Sequence, residues 1–223
     1  MTENTPCERK LRKDALANRE RLLAAGRELF ARHGLDVTLN DVAHHAGVGV
    51  GTAYRRFANK EELIDAISQR QNEEMIEILH QALGMEDAWD GLVFYLEESL
   101  KLQTRDRMMA QIFAGQRIPK EQYDAGGNQL APLVNQVAER AREAGELREE
   151  ITGTDLIFLQ IALTKIALVS RGGELYRRYL WIALDGMRVG NVDAPLPVAA
   201  LTTEETHELL RPAKPVVRTD AKE

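Results

Sequence analysis

The sequence predicts an all-α protein: a small three-helix head at the N-terminus followed by a larger helical body. Apolar residues recur at the three- and four-residue spacing of one helix face in segment after segment, and no two-residue alternation persists as a strand would require. The segments are punctuated at Gly34, Gly47, Gly84, Pro119, Gly145, Gly172-Gly173 and Gly190, residue types that end helices or open loops. With 44% hydrophobic and 29% charged residues among 223, the chain has the composition of an ordinary globular protein with a sizeable core.

The same composition excludes several classes. No apolar run approaches the roughly 20 residues of a membrane helix, and the first residues lack the apolar region of a secretory leader. A cytoplasmic protein without membrane contact is expected. Cys7 is the only cysteine, so neither an internal disulfide nor a cysteine-based zinc site can form. The net charge of −6 conceals an asymmetry. Residues 1–60 hold 11 Lys and Arg against 7 Asp and Glu, leaving 18 against 28 for the rest. A basic head attracts phosphate, and an acidic body keeps the remainder off nucleic acid.

Taken in order, residues 1–14 read as a flexible arm made basic by Arg9, Lys10, Arg12 and Lys13. The first helix runs from about Ala15 to His33, with Leu22, Ala25, Gly26, Leu29 and Phe30 forming one buried stripe. Thr38 and Asp41 make a capping-box-like pair that starts a short second helix, in which Leu39, Val42, Ala43 and Ala46 share the inner face. Gly47 supplies a left-handed residue, Val48 plugs the corner, and a third helix follows from Gly49 to Phe57 with Ala53 and Phe57 turned inward. Its outer side carries Val50, Thr52, Arg55 and Arg56, with Tyr54 near the seam. Small or hydroxylated residues followed by arginines on a helix of this length suit the major groove of DNA. Val50, Thr52 and Arg55, grouped with Gly51 and helped by Asn40, are the candidates for base contacts. Thr38, Tyr54, Arg56 and Lys60 are the candidates for phosphates.

These residues resemble the DNA-binding domain of the TetR family of transcriptional regulators. The resemblance rests on Thr38, Val42, Ala43, Ala46, Gly47, Val48, Gly51, Tyr54, Phe57, Asn59, Lys60 and Leu63, preceded by the run RLLAAGRELFARHG from Arg21 to Gly34. It covers roughly the first quarter of the chain, and as a multi-position match it is more specific than a short motif. Gly49 departs from the usual Ser or Thr cap, and Ala53 from a larger aliphatic residue. The domains expected are then an arm (1–14), a helix-turn-helix domain (15–60), a helical ligand-binding and dimerisation domain (61–190) and a largely disordered tail (191–223).

Asn59 caps a longer helix that carries Leu63, Ile64, Ile67, Met75, Ile78, Leu79 and Leu83 inward to about Gly84. Further helices are expected from Glu86 to about Thr104, from Arg107 to Gly115, and from about Leu130 to Ala144, with Gly126-Gly127 read as a loop. The segment from Asp155 to Ser170 is apolar almost all round, so it must be buried on more than one side. A last helix follows from Glu174 to Arg188, and the proline-bearing tail has room for one helical turn over Glu204 to Leu210. Two consecutive helices so apolar exceed what one small body needs, and pairing with a second copy is the natural outlet. The resemblance implies a four-helix dimer interface, for which the candidates are Leu156, Leu163, Ile166, Leu175, Tyr179, Ile182 and Ala183. It also implies an interior cavity, with Trp89, Tyr95, Met108, Met109, Phe113, Tyr123, Phe158 and Gln160 as candidate lining residues. Aromatics and methionines at helical spacing fit an ordinary core equally well.

Nothing points to catalysis. No phosphate-cradling glycine loop, nucleophile elbow or metal-binding helix motif occurs, and His44-His45, adjacent on a helix, diverge rather than converge. No metal or cofactor is expected. The expected function is a dimeric, ligand-responsive regulator, in all expectation a repressor, that binds a palindromic operator in double-stranded DNA and is released by a small-molecule inducer. The alternative is an α-helical enzyme or carrier with a structural helix-turn-helix.

Overall fold

The computed structural model describes residues 6–105, 120–170, 174–190 and 196–210, which contain nine α-helices and one isolated antiparallel bridge between Leu147 and Arg188. The head consists of α1 (Pro6–His33), a 3-10 turn (Gly34–Asp36), α2 (Leu39–His45) and α3 (Val50–Arg56). Next come α4 (Lys60–Gly84), α5 (Ala88–Arg105), α6 (Lys120–Glu143), α7 (Gly153–Val169), α8 (Leu175–Met187) and α9 (Thr203–Leu210).

Three segments differ from expectation. Helix α1 starts at Pro6 rather than at about Ala15, so the described part of the arm is helical. Its Ala, Leu, Lys, Arg and Glu are good helix formers, and proline is well suited to a first helical position. The Gly126-Gly127 pair lies inside α6 rather than in a loop, and Pro132 sits in the same helix. Each glycine costs about 1 kcal/mol against alanine. Burying Val134, Val137, Ala138 and Ala141 against α4, α5 and α7 outweighs that locally unfavourable pair. In the tail, the helical turn expected over Glu204 to Leu210 is present as α9, and residues 196–210 are docked rather than disordered. Thr202 and Glu205 exchange capping bonds at the head of α9, Thr154 Oγ1 donates to Leu201 O at 2.8 Å, and Asn135 Nδ2 donates to Thr203 Oγ1 at 3.1 Å. The helix expected over Arg107–Gly115, with Met108, Met109 and Phe113, lies outside the described residues, as do Gly172-Gly173 and the side chains of the basic arm.

Two apolar cores result. The head core joins Leu22, Phe30, Leu39, Val42, Ala43, Val48, Ala53 and Phe57 with Leu63 and Ile67 from the start of α4. The body core takes Met75, Leu79 and Ala82 from the remainder of α4 and packs them with α5 to α8. One helix therefore belongs to both. Its first turn is capped by Asn59, whose Oδ1 accepts from Glu62 N at 2.8 Å, and Glu61 and Glu62 oppose the positive end of the helix dipole. Its last turn is held by Arg140 of α6. That guanidinium donates to Ala82 O (3.3 Å), Leu83 O (3.1 Å), Glu86 O (3.0 Å) and Met85 O, satisfying carbonyls that a helix end leaves without partners.

The α4–α5 corner depends on a close approach. A Cβ on Gly91 would lie 2.5 Å from the Ala82 carbonyl oxygen, a backbone atom that cannot swing away. We expect Gly91→Ala to destabilise the chain by about 1–3 kcal/mol in denaturant unfolding. Gly84→Ala, at a position with nothing within 4 Å of the added carbon, should be neutral or stabilising.

Candidate nucleic-acid interface

The turn between α2 and α3 is built from hydrogen bonds that the sequence encodes locally. Thr38 N and Thr38 Oγ1 both donate to Asp41 Oδ2, at 2.9 and 2.6 Å, and Asp41 N donates back to Thr38 Oγ1 at 3.2 Å. The hydrogen bond from the Thr38 hydroxyl, then that from its backbone, holds the Asp41 carboxyl below its ordinary pKa of 3.8. Gly47, at φ +63°, closes the helix: its N–H donates to His44 O at 3.2 Å, and Val48 N donates to Ala43 O at 3.0 Å. Val48 is buried behind it. Gly49 then caps α3 without a side-chain bond, its carbonyl accepting from Thr52 N and Ala53 N at 2.8 and 3.0 Å. His45 Nε2 of α2 meets Glu28 Oε2 of α1 at 2.9 Å, tying the two helices together.

With Ala53 and Phe57 buried, the opposite side of α3 is turned outward. Asn40, Gly51, Tyr54, Arg55 and Arg56 are exposed, and Thr52 and Lys60 are half-buried. Arg55 Nη2 donates to Thr52 Oγ1 at 2.8 Å, and a Cβ on Gly51 would sit 3.8 Å from Arg55 Nη1. The bare glycine leaves the guanidinium room to lie along the helix, so the three residues form one patch. Two expected contacts change character. Val50 is half-buried against the head core rather than free to present its methyls, because it follows the inward-facing corner at Val48. Thr38 spends both donors on Asp41, so it orders α2 rather than offering a hydrogen to phosphate.

In the body, the structure gathers only part of the expected pocket. Tyr95 and Gln160 are both buried, and burial pushes the Tyr95 phenol up against a smaller opposing effect of the Gln160 amide. Around them is a polar ladder that sequence reasoning missed. Gln160 Nε2 donates to Ser99 Oγ at 2.6 Å, Gln103 Nε2 to Gln160 Oε1 at 3.2 Å, and Thr164 Oγ1 to Gln103 Oε1 at 2.7 Å. The signal was available: Tyr95, Ser99 and Gln103 recur at four-residue spacing beside the apolar stripe of Leu92, Leu96 and Leu100. Trp89 is elsewhere engaged, buried with the Arg188 guanidinium 4.9 Å over its ring. Phe158 is half-buried on α7, while Met108, Met109 and Phe113 and the side chain of Tyr123 lie outside the described residues.

The expected dimer face also needs correction. Leu156 and Leu163 are 0% and 2% exposed within a single protomer, packed in the body core, and have no surface left for a partner. An apolar helix with no polar side gives no periodicity from which to choose its inward face, which is why the two were misplaced. Ile166 and Ala183 are half-buried, and Leu175, Tyr179 and Ile182 of α8 are exposed, together with Val169 and Trp181.

Two family models match the chain. Residues 22–67 fit the bacterial regulatory proteins of the tetR family, and residues 87–189 fit the C-terminal domain of SbtR-like transcriptional regulators. The chain belongs to the TetR family. Its members are transcriptional regulators with a DNA-binding helix-turn-helix, so the enzyme alternative is set aside. The HTH-type transcriptional regulator SAB2452 of Staphylococcus aureus is 38% identical over 61 residues, which make up 27% of this chain and 33% of that relative. The likeness to it thus spans about a third of the relative's length. Among solved structures, the TetR regulator SCO0520 of Streptomyces coelicolor superposes with a TM-score of 0.58 at 25% identity, covering 76% of this chain and 98% of that one. A TetR regulatory protein from Mycobacterium vanbaalenii gives 0.57 at 25% identity over 80% and 99%. Among the described residues of this TetR-family chain, no helix is long and apolar enough to cross a membrane, and no three His, Cys, Asp or Glu residues gather as metal ligands would.

The capping box makes the head sensitive to acid. Because the folded Asp41 pKa is depressed, its contribution is complete above the ordinary value of 3.8 and is lost as pH falls through the lower folded value. Thr38→Val should lower the melting temperature at pH 7 and make the loss of stability below pH 4 shallower, as followed by circular dichroism across that range.

Proposed function

We propose that this TetR-family regulator acts as a homodimeric repressor that binds a palindromic operator and is released by a small-molecule inducer, in the cytoplasm of a bacterial cell. The observation that carries the reading is the outer side of α3, where Tyr54, Arg55 and Arg56 stand exposed on a helix whose other side is locked into the head core. Rigid backing is what turns a row of side chains into a reader of base edges. In this reading Arg55 and Thr52 contact bases, with Asn40 beside them, while Tyr54, Arg56 and Lys60 hold phosphates and set the register.

The division of labour follows the two cores. Residues 15–60 are the DNA-binding domain, and residues 61–190 form the part that binds ligand and pairs with a second copy. Leu175, Tyr179 and Ile182 make an apolar stripe on α8 whose exposure in one protomer is supported as a contact between two. Pairing there presents two α3 helices to successive major grooves, roughly 34–36 Å apart. A ligand held by the body near Tyr95 and Gln160 would favour one setting of α4 and so alter that spacing.

The operator is obtained by selecting duplexes from a random pool on the purified protein. On the selected duplex, Arg55→Ala should lose about 1–3 kcal/mol of discrimination at one base pair per half-site. Lys60→Ala should instead weaken binding on all sequences alike and lower the salt slope by about one per protomer. Equal loss of preference from both changes would refute the assignment. Ile182→Glu should convert dimer to monomer in light scattering while leaving helical content unchanged.

A further inference from the structure

The buried stripe of α4 is apolar at both ends and polar in the middle. Leu63 and Ile67 close the head core, Met75 and Leu79 belong to the body core, and between them stand Ser68, 7% exposed, and Gln71, 1% exposed. Among the described residues neither finds a hydrogen-bond partner: Ser68 Oγ and both amide atoms of Gln71 are buried without one, and one turn earlier Asp65 Oδ1 is buried in the same condition. Such groups are rare in folded proteins, because each forfeits its bonds to water without replacement. An aliphatic residue at either position would continue the stripe with no such loss. Residues three apart on a helix are side by side, roughly 5–6 Å between Cβ atoms, so one small polar group can serve both. An amide that must both donate and accept, beside a hydroxyl that can do either, matches a group with the same two capacities. The neighbouring Asp65 carboxyl disfavours an anion.

We propose that Ser68 and Gln71 bind the hydroxyl- or amide-bearing end of a neutral small molecule at the joint between head and body. The proposal rests on the effector reading above and gives that effector a chemical class and a direct hold on the linking helix. The far end of α4 is fixed by the four carbonyl bonds of Arg140, and its first two turns are fixed in the head core. A ligand group seated between those anchors acts where the helix passes from one core to the other, and its preference for one arrangement of the joint becomes a preference for one arrangement of the DNA-binding heads.

The test is thermal unfolding of the full chain with benzamide, phenol and hexanamide as neutral probes and benzoate as the isosteric anion of the first. At least one neutral probe should raise the melting temperature and benzoate should not. Gln71→Leu should weaken that probe roughly tenfold while melting at or above the temperature of the unaltered chain, since an unsatisfied amide has been removed. Ser68→Ala should weaken it in the same direction, and it carries the test alone if the leucine variant does not fold. No response to any neutral probe, an equal response to benzoate, or an undiminished response in the variants would overturn the proposal. So would a crystal structure in which Gln71 is satisfied by protein groups or by a single water. Selected-duplex binding is measured in parallel: if the unaltered chain shows sequence preference, a failure above removes this site alone, and if it shows none, the regulator reading fails separately.

Discussion

A single helix has to complete two cores. Leu63 and Ile67 are as necessary to the head as Met75 and Leu79 are to the body, and all four project from α4. A head of one long and two short helices is too small to bury enough apolar surface alone, so it borrows the fourth side of its core from the helix that leaves it. The dependence appears again inside the joint, where Gly26 of α1 lets that helix approach until an added Cβ would be 3.0 Å from Ile67 Cδ1. Arg27 of α1 meets Glu74 of α4 at 3.3 Å. These partly exposed ions add little energy, but they fix orientation where the apolar contacts fix distance.

Sharing a helix makes communication between the two parts a mechanical necessity. Head and body cannot both keep their packing if α4 changes its angle, because cores packed to crystal-like density do not deform continuously. A change of angle would carry the whole helix, and Ser68 and Gln71, whose buried polar atoms find no partner among the described residues, lie where it passes from one core to the other. At the opposite extreme, the C-terminal turn is bonded through Arg140 and crowded by Gly91, so it serves as the fixed end. Under the proposed function, such a helix would join effector to DNA without a long chain of intermediary residues.

Sequence patterns revealed local structure far better than they revealed facing. The Thr38–Asp41 box, the Gly47 turn, the Asn59 cap and the Thr152–Asp155 box all depend on residues within four positions of one another, and each was legible or could have been read from spacing alone. The double glycine in α6 was misread because tertiary burial, which propensity does not contain, decided its state. The helical turn of the tail was legible but its docking was not, for the same reason: its partners Asn135 and Thr154 are remote in the chain. At the DNA-facing side, Tyr54, Arg55 and Arg56 were legible because Ala53 and Phe57 fix the phase of α3. The engagement of Thr38 with Asp41 and the half-burial of Val50 required coordinates.

Helices α7 and α8 show why the same information fails in one place and succeeds in the next. Along α8, Tyr176, Leu180, Leu184 and Met187 are buried at three- and four-residue spacing, and Leu175, Tyr179 and Ile182 fall on a second stripe that the protomer leaves exposed. Charged Arg178 and Asp185 set the phase between them. Along α7 the only polar residues past the first turn are Gln160, Thr164 and Lys165, and two of the three are buried in the ladder with Gln103. Polarity there marks the interior, the reverse of the usual rule, so a reader who assigns polar residues to the outside rotates the helix and places Leu156 and Leu163 on a partner. The inversion is itself informative: a hydrogen-bonded ladder costs more to bury than leucine unless each of its members is satisfied, and its cross-helix bonds fix the register of α5 against α7 where interchangeable aliphatic contacts would not.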